Sequence, residues 1–281
     1  MNTPTLGFGT APIMGGVSRH HSIRALNHAF AAGIRHFDTA RSYGWGEAES
    51  VVGSVLRHHD RATIRLVGKC GIMPVRGSLA LGLAKSLARS VLSAFPALTQ
   101  TVKSVAATRS FAPSATGSVE ALGQSVAQSL QELGMHYFDL LLIHNFRPGM
   151  DSFDNIVSWL HSLRNQGIIR RYGFSVEGNF QASLEFLEDK GLLAEAVVQA
   201  PVCDDLLALP DRWSEVATIA HSPFQYLMKQ APSAGRALDL SALLDKLGAA
   251  GRCETVVCSM FTPEHIDRNI AAWKKSAAQV G

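Results

Sequence analysis

Apolar positions along the chain follow two alternating spacings. Short runs of strand length recur, among them Thr5–Pro12, His36–Asp38, Ile64–Val67 and Phe138–Ile143. The last is apolar almost throughout, as a parallel strand covered on both faces must be. Between such runs lie segments with helical spacing. In Ser22–Ala32 the apolar residues are Ile23, Leu26, Ala29 and Phe30, and Gly33 closes the segment. Ser118 is a good N-cap for a helix to Leu133 that carries Val119, Leu122, Val126, Leu130 and Leu133 on one face. Further helices are predicted over 47–56, 153–165, 180–190 and 238–247, and from Pro263, a favoured first helical residue, to about Ala277. Further strands are predicted at 171–174, 196–198, 216–220 and 255–258. Eight strands alternating with helices, with no Gly-x-Gly-x-x-Gly turn after a strand, favour a closed (β/α)8 barrel over an open sheet. The α/β pattern predicts a single domain over 1–281. Residues 71–116 break the rhythm: weakly amphipathic, basic segments at 78–92 and 97–107 predict a helical insertion after the third strand, either a surface excursion or a lid over that end of the barrel.

Composition narrows the partners. The 281 residues are 47% hydrophobic and 17% charged, enough for a large core. The net charge of +3 is spread among interspersed acids and bases, which argues against a nucleic-acid surface. Cys70, Cys203, Cys253 and Cys258 have no metal-ligand spacing and read as reduced thiols in or near the core, so no metal is expected. Met1–Gly7 lacks a basic stretch followed by an apolar run, and no stretch of about 18 apolar residues occurs; no leader, no membrane span and a cytoplasmic location are the expectations.

In a barrel of this kind the site is built at the C-terminal strand ends. The polar residues there are Asp38, Lys69, His144, Ser175, Gln199, His221-Ser222 and Ser259, with Tyr43 in the loop above Asp38. Lys69 on the third strand neighbours Asp38 on the second, so the two charges satisfy each other and the ammonium lies under Tyr43. A cation there favours tyrosinate and predicts a lowered phenol pKa. His144 shares a substrate oxygen with the Tyr43 hydroxyl. A proton donor and a hydrogen-bond clamp on one oxygen suit a carbonyl becoming an alkoxide, hence hydride addition.

At these residues the sequence resembles the aldo-keto reductase superfamily, specifically a bacterial-type member with a shortened C-terminus. The matching blocks are Gly-Phe-Gly-Thr-Ala (7–11), Phe-Asp-Thr-Ala-Arg-Ser-Tyr-Gly (37–44), Gly-Glu-Ala-Glu-Ser-Val-Val-Gly (46–53), Gly-Lys (68–69), Ser-Val-Ala-Gln-Ser-Leu-Gln-Glu-Leu (125–133), Tyr-Phe-Asp-Leu-Leu-Leu-Ile-His (137–144), Tyr-Gly-Phe-Ser (172–175) and Thr-Pro-Glu-His-Ile-Asp-Arg-Asn-Ile (262–270). The resemblance implies a TIM barrel that binds a nicotinamide cofactor across its C-terminal face. It implies Tyr43 as general acid, Lys69 tuning it, Asp38 holding Lys69, and His144 orienting the carbonyl. Gly9 and Thr10 fall in the cofactor-binding region, Ser175 and Gln199 at the nicotinamide carboxamide, and His221-Ser222 where the family often has a ring that stacks on nicotinamide. Asn269 falls at the adenine.

The sequence departs from the family in three places. Val176 stands where Asn often follows the serine. Ser259 and His265 stand where NADPH-specific members carry a Lys and an Arg, with Arg268 one turn on as a substitute. The chain stops at Gly281, which predicts an open substrate pocket or one capped by the insertion. Family habit favours NADP (NADPH) over NAD. The expected substrate is a small carbonyl compound or a sugar, with Trp45, Asn145 and Phe146 beside Tyr43 and His144. An aldose dehydrogenase and a cofactor-sensing regulatory subunit with little turnover are the alternatives, and the oligomeric state is not legible.

Overall fold

The computed structural model describes residues 3–74, 118–231, 238–249 and 253–280. The segments predicted as helices over 78–92 and 97–107 lie outside the described residues. In chain order the main elements are β1 (Thr5–Gly9), α1 (Arg19–Ala31), β2 (His36–Asp38), α2 (Ala48–Leu56), β3 (Arg65–Cys70), α3 (Val119–Leu133), β4 (Phe138–Phe146), α4 (Phe153–Asn165), β5 (Ile169–Val176), α5 (Phe180–Asp189), β6 (Val197–Pro201), α6 (Asp204–Leu207), β7 (Thr218–His221), α7 (Pro223–Gln230), α8 (Ser241–Ala249), β8 (Cys253–Cys258) and α9 (Pro263–Val280). The eight strands form one closed, all-parallel barrel in sequence order, sealed by pairing of β1 with β8 from Thr5 opposite Thr255 to Phe8 opposite Cys258.

Side chains alternate between the barrel interior and the helix layer, because successive residues of a strand face opposite ways. Val67, Leu140, Leu142, Val197, Ile219 and Val257 form a compact cluster of their own, which fills the interior. Their neighbours Leu66, Leu141, Ile143, Val198, Ala220 and Val256 belong to the larger core beneath the helices. This alternation places the site. Lys69, His144, Gln199, His221 and Ser259 each stand two residues beyond an interior apolar residue, so each points inward at the C-terminal mouth.

Several boundaries differ from the sequence reading. β1 stops at Gly9 rather than Pro12, since residues 10–17 fold back in a turn whose N–H groups bond the Pro12 and Thr10 carbonyls. α1 begins at Arg19 rather than Ser22, capped by Ser18. Two elements were missed, the single turn α6 and the two-turn α7. In α7 only Pro223 is buried, so no apolar stripe announces it. Cys70, Cys253 and Cys258 are buried, Cys203 is half-buried, and all four are free thiols. No helix among the described residues is long and apolar enough to cross a membrane.

Helices α2 and α3 meet at Gly53, where an added Cβ would stand 2.5 Å from the Leu133 carbonyl oxygen and 2.6 Å from Leu133 Cα. In an open helix Gly→Ala gains roughly 1 kcal/mol of propensity. Here the obstruction is backbone, which cannot swing aside, and overpacking costs about 1–3 kcal/mol. Gly53→Ala is therefore expected to lower the melting temperature; a rise would show that the two helices can separate freely.

Candidate active site

The mouth of the barrel holds a cavity of about 190 Å³. That is below the roughly 300–1,000 Å³ of a site enclosing a drug-sized ligand. Gly9, Thr10, Asp38, Tyr43, Lys69, His144, Ser175, Gln199, His221, Ser222 and Ser259 all line it. The structure thus brings eleven of the predicted residues together from all eight strand ends and the loops above them.

A chain of hydrogen bonds links their polar atoms. The Lys69 ammonium donates to Asp38 Oδ1 and, at 2.9 Å, to the Tyr43 hydroxyl. Gln199 Nε2 donates to Asp38 Oδ2 at 2.6 Å, and Ser175 Oγ donates to Gln199 Oε1 at 3.1 Å. Thr10 fastens the Asp38 main chain, its Oγ1 donating to the Asp38 carbonyl at 2.9 Å. The Tyr43 ring meets the His144 ring edge-on, at 86° with centroids 5.9 Å apart.

Burial sets the charge states. It pushes the Asp38 carboxyl up, but the Lys69 ammonium and the bonds from Lys69 and Gln199 outweigh it, and the carboxyl ends below its ordinary range. Burial pulls the Lys69 ammonium down, while Asp38 and Tyr43 more than reverse this, so it stays charged. His144 is lowered to about 3, first by burial and then by the Lys69 charge, and His221 to about 4 for the same reasons. Both imidazoles are neutral near pH 7. Tyr43 reverses the sequence expectation. Loss of hydration raises its phenol, and the pull of Lys69 only limits the rise. A cation beside a phenol is legible from strand order, whereas its desolvation is not.

Six of the predicted residues do not line this cavity. Asn145 adopts a left-handed φ of 56°, at a register irregularity between Ile143 and Phe146. The irregularity interrupts the alternation and turns Phe146, expected near the substrate, into the helix layer. There its ring packs on Phe153, Phe174 and Phe186. Trp45, also left-handed at φ 62°, is half-buried beside the cavity lining rather than in it. His265 is exposed on α9. Arg268 and Asn269 line a second cavity with Leu238, Asp239, Leu240, Ala271, Ala272 and Lys275. Asn269 is buried there and donates to Met260 Sδ.

The sequence reading missed Glu177, Phe224 and Gln225 on the cavity wall. Glu177 stands two residues beyond Ser175, the same step that placed the other polar groups, and was detectable by that rule. Phe224 and Gln225 arrive with the unannounced α7. Val176, where the family often has Asn, is buried in the helix layer, so it offers the cavity nothing. Among the described residues no cluster of three or more His, Cys, Asp or Glu could hold a metal ion.

The model of the aldo/keto reductase family matches residues 5–203, which contain the Asp38, Tyr43, Lys69 and His144 set. The chain belongs to the aldo/keto reductase family. Among curated relatives, it is 29% identical over 177 residues to an NADH-specific methylglyoxal reductase of Escherichia coli (strain K12), covering 60% of this chain and 47% of that protein. It is 40% identical over 68 residues to a pyridoxal 4-dehydrogenase of Microbacterium luteolum, covering 23% of this chain and 20% of that one. The chain spans about half the length, or less, of these curated relatives. The fold is shared more widely. A holo-form aldo-keto reductase from Bacillus halodurans superposes with a TM-score of 0.66 at 18% identity, over 98% of this chain and 90% of that one. A Klebsiella pneumoniae aldo/keto reductase in complex with NADP and acetate gives 0.62 at 20% identity, over 99% and 90%. As an aldo/keto reductase barrel, the chain keeps its polar groups at the mouth.

The residues at the mouth fit a nicotinamide. His221 offers a neutral, half-buried ring face, and its Nδ1 shares a hydrogen bond with Ser222 Oγ at 3.0 Å. Ser222 also caps α7, whose N-terminal residues Pro223, Phe224 and Gln225 reach the cavity wall. The positive end of that helix dipole favours an anionic group at the rim.

Proposed function

We propose that the protein is an NAD(P)H-dependent reductase of small aldehydes or ketones. One observation carries this reading: a phenol hydroxyl 2.9 Å from a buried ammonium, with a neutral imidazole edge-on to the same ring. A nicotinamide held at this mouth would supply the hydride that the carbonyl carbon accepts. His144, neutral near pH 7, donates a hydrogen bond to the carbonyl oxygen and orients it. Tyr43, kept protonated by burial, delivers its proton to that oxygen as charge develops there. The Lys69 ammonium stabilises the tyrosinate left behind, and Asp38 with Gln199 keeps the ammonium in place. Tuning of Tyr43 is thus directed at the product of proton transfer, not at the resting phenol. A cofactor-sensing subunit with little turnover does not require this set of donors.

NADPH is the proposed cofactor. Ser259 adds no charge at the mouth, so the support comes from the second cavity, where Arg268 and Lys275 both reach the wall beside Asn269. A guanidinium fork suits a phosphate dianion. The first test is a titration of tryptophan fluorescence with NADPH and with NADH. NADPH is expected to bind more tightly, and Arg268→Gln to shrink the difference by about 10-fold, since a charged hydrogen bond is worth roughly 1.5–3 kcal/mol. An unchanged ratio removes Arg268 from the phosphate site. A carbonyl panel follows, and no turnover on any aldehyde or ketone despite tight cofactor binding would sink the reductase reading.

A further inference from the structure

Tyr43 lies in the loop between Asp38 and α2, and this loop follows an improbable path. Gly44, Trp45 and Gly46 are successive left-handed residues, with φ of 58°, 62° and 89°. An L-residue such as Trp45 adopts that conformation only where its surroundings impose it. A Cβ at position 44 would meet the Ile13 carbonyl oxygen at 2.4 Å, so the loop is also pressed against its neighbour.

Arg41 connects both ends of this loop to the strand that carries the ammonium. Its main-chain N–H donates to the Lys69 carbonyl at 3.3 Å. Its Nη1 donates at 2.9 Å to the carbonyl of Gly46, the last residue of the left-handed turn. The same guanidinium bonds Glu49 Oε2 on α2 at 3.0 Å and both carboxylate oxygens of Glu132 on α3, at 3.0 and 3.2 Å. Gln128 Nε2 holds Glu132 Oε1 in turn at 3.2 Å. Arg41 and Glu49 are buried, and Glu132 is half-buried. Two carboxylates around one buried guanidinium are a poor source of stability, because well-packed apolar residues serve as well or better. What the arrangement provides is direction: a planar fork with fixed bond angles.

We propose that Arg41 is a positioning residue that holds the Tyr43 hydroxyl against Lys69. It lines no part of the cavity and acts through the loop. The groups that face Tyr43 are Lys69, Asp38, Glu177 and His144, and Arg41 governs the distance to the first. The inference rests on the reductase reading above.

The test compares the wild type with Arg41→Lys, in which an ammonium keeps the charge but loses the fork. Turnover of a carbonyl substrate is expected to fall about 10- to 100-fold, as for a reacting group displaced by an ångström. The NADPH dissociation constant and KM should stay within about twofold, since ground-state binding is untouched. The alkaline limb of the turnover profile should move to higher pH as Tyr43 loses its cation. If Arg41→Lys does not fold, the double variant Arg41→Gln, Glu49→Gln leaves Arg41 and Glu49 both uncharged, and the same split is expected of it. A variant of lower melting temperature but wild-type turnover and an unmoved limb overturns the proposal, because a purely structural ion pair predicts that result. A wild type that reduces no carbonyl overturns the reductase reading and the clamp with it.

Discussion

Tyr43→Phe is expected to reduce turnover by about 10²- to 10⁴-fold, the range for loss of a positioned general acid. NADPH affinity should change little, because the hydroxyl interacts with charge that exists only in the transition state. The ring is retained, so its edge-on contact with His144 and its place over the Lys69 ammonium, 5.0 Å from the ring centroid, persist. Wild-type turnover in steady-state kinetics would remove Tyr43 from the mechanism. Loss of cofactor binding instead would mean that the hydroxyl holds the cofactor or the loop.

The second large effect is on stability. Lys69→Met leaves the Asp38 carboxylate 3% exposed with Gln199 as its remaining side-chain donor. Breaking a buried pair from one side costs about 3–5 kcal/mol, because the other charge stays desolvated. The pH window follows from the two shifts. Asp38 is depressed in the folded state from an ordinary 3.8, so its contribution is present above that value and is lost as pH falls through the folded value. Lys69 is raised from an ordinary 10.5, so its contribution is present below that value and is lost as pH rises through the folded value. Urea unfolding near pH 7 should show the full deficit. The gap to the wild type should narrow as pH falls through the folded value of an Asp38 that has lost its ammonium, which burial holds above the ordinary 3.8, and go on narrowing towards the depressed wild-type value. A gap independent of pH would show that lost packing, not the stranded carboxylate, sets the cost.

The inward-facing residues were readable because two regularities coincide. Strands alternate with period two, and a closed parallel barrel gathers its C-terminal ends. Val67 announces Lys69, Leu142 announces His144 and Val197 announces Gln199. The misplaced residues share a different cause. Trp45 has a left-handed backbone that no propensity predicts. Asn145 tolerates one, but nothing local requires it inside a strand, and the irregularity there carries Phe146 away from the mouth. α7 has too little buried surface to leave an apolar stripe. The Arg41, Glu49 and Glu132 network joins positions up to 91 residues apart, so nothing local signals it. The direction of the Tyr43 shift depends on how much water the fold removes, which only coordinates reveal.

Sealing of β1 against β8 also bears on how the chain reaches this state. The two partners lie about 250 residues apart, as the hydroxyls of Thr5 and Thr255 do. Closing so long a loop is entropically slow, and high contact order lowers folding rates. On the ribosome, β1 emerges early and has β2 on one side only until β8 follows. Until then both flanking strands present unpaired N–H and C=O groups, the surfaces through which nascent sheets associate. The ring that gathers a lysine, a tyrosine and two histidines at one mouth therefore closes only once β8 is available to pair with β1.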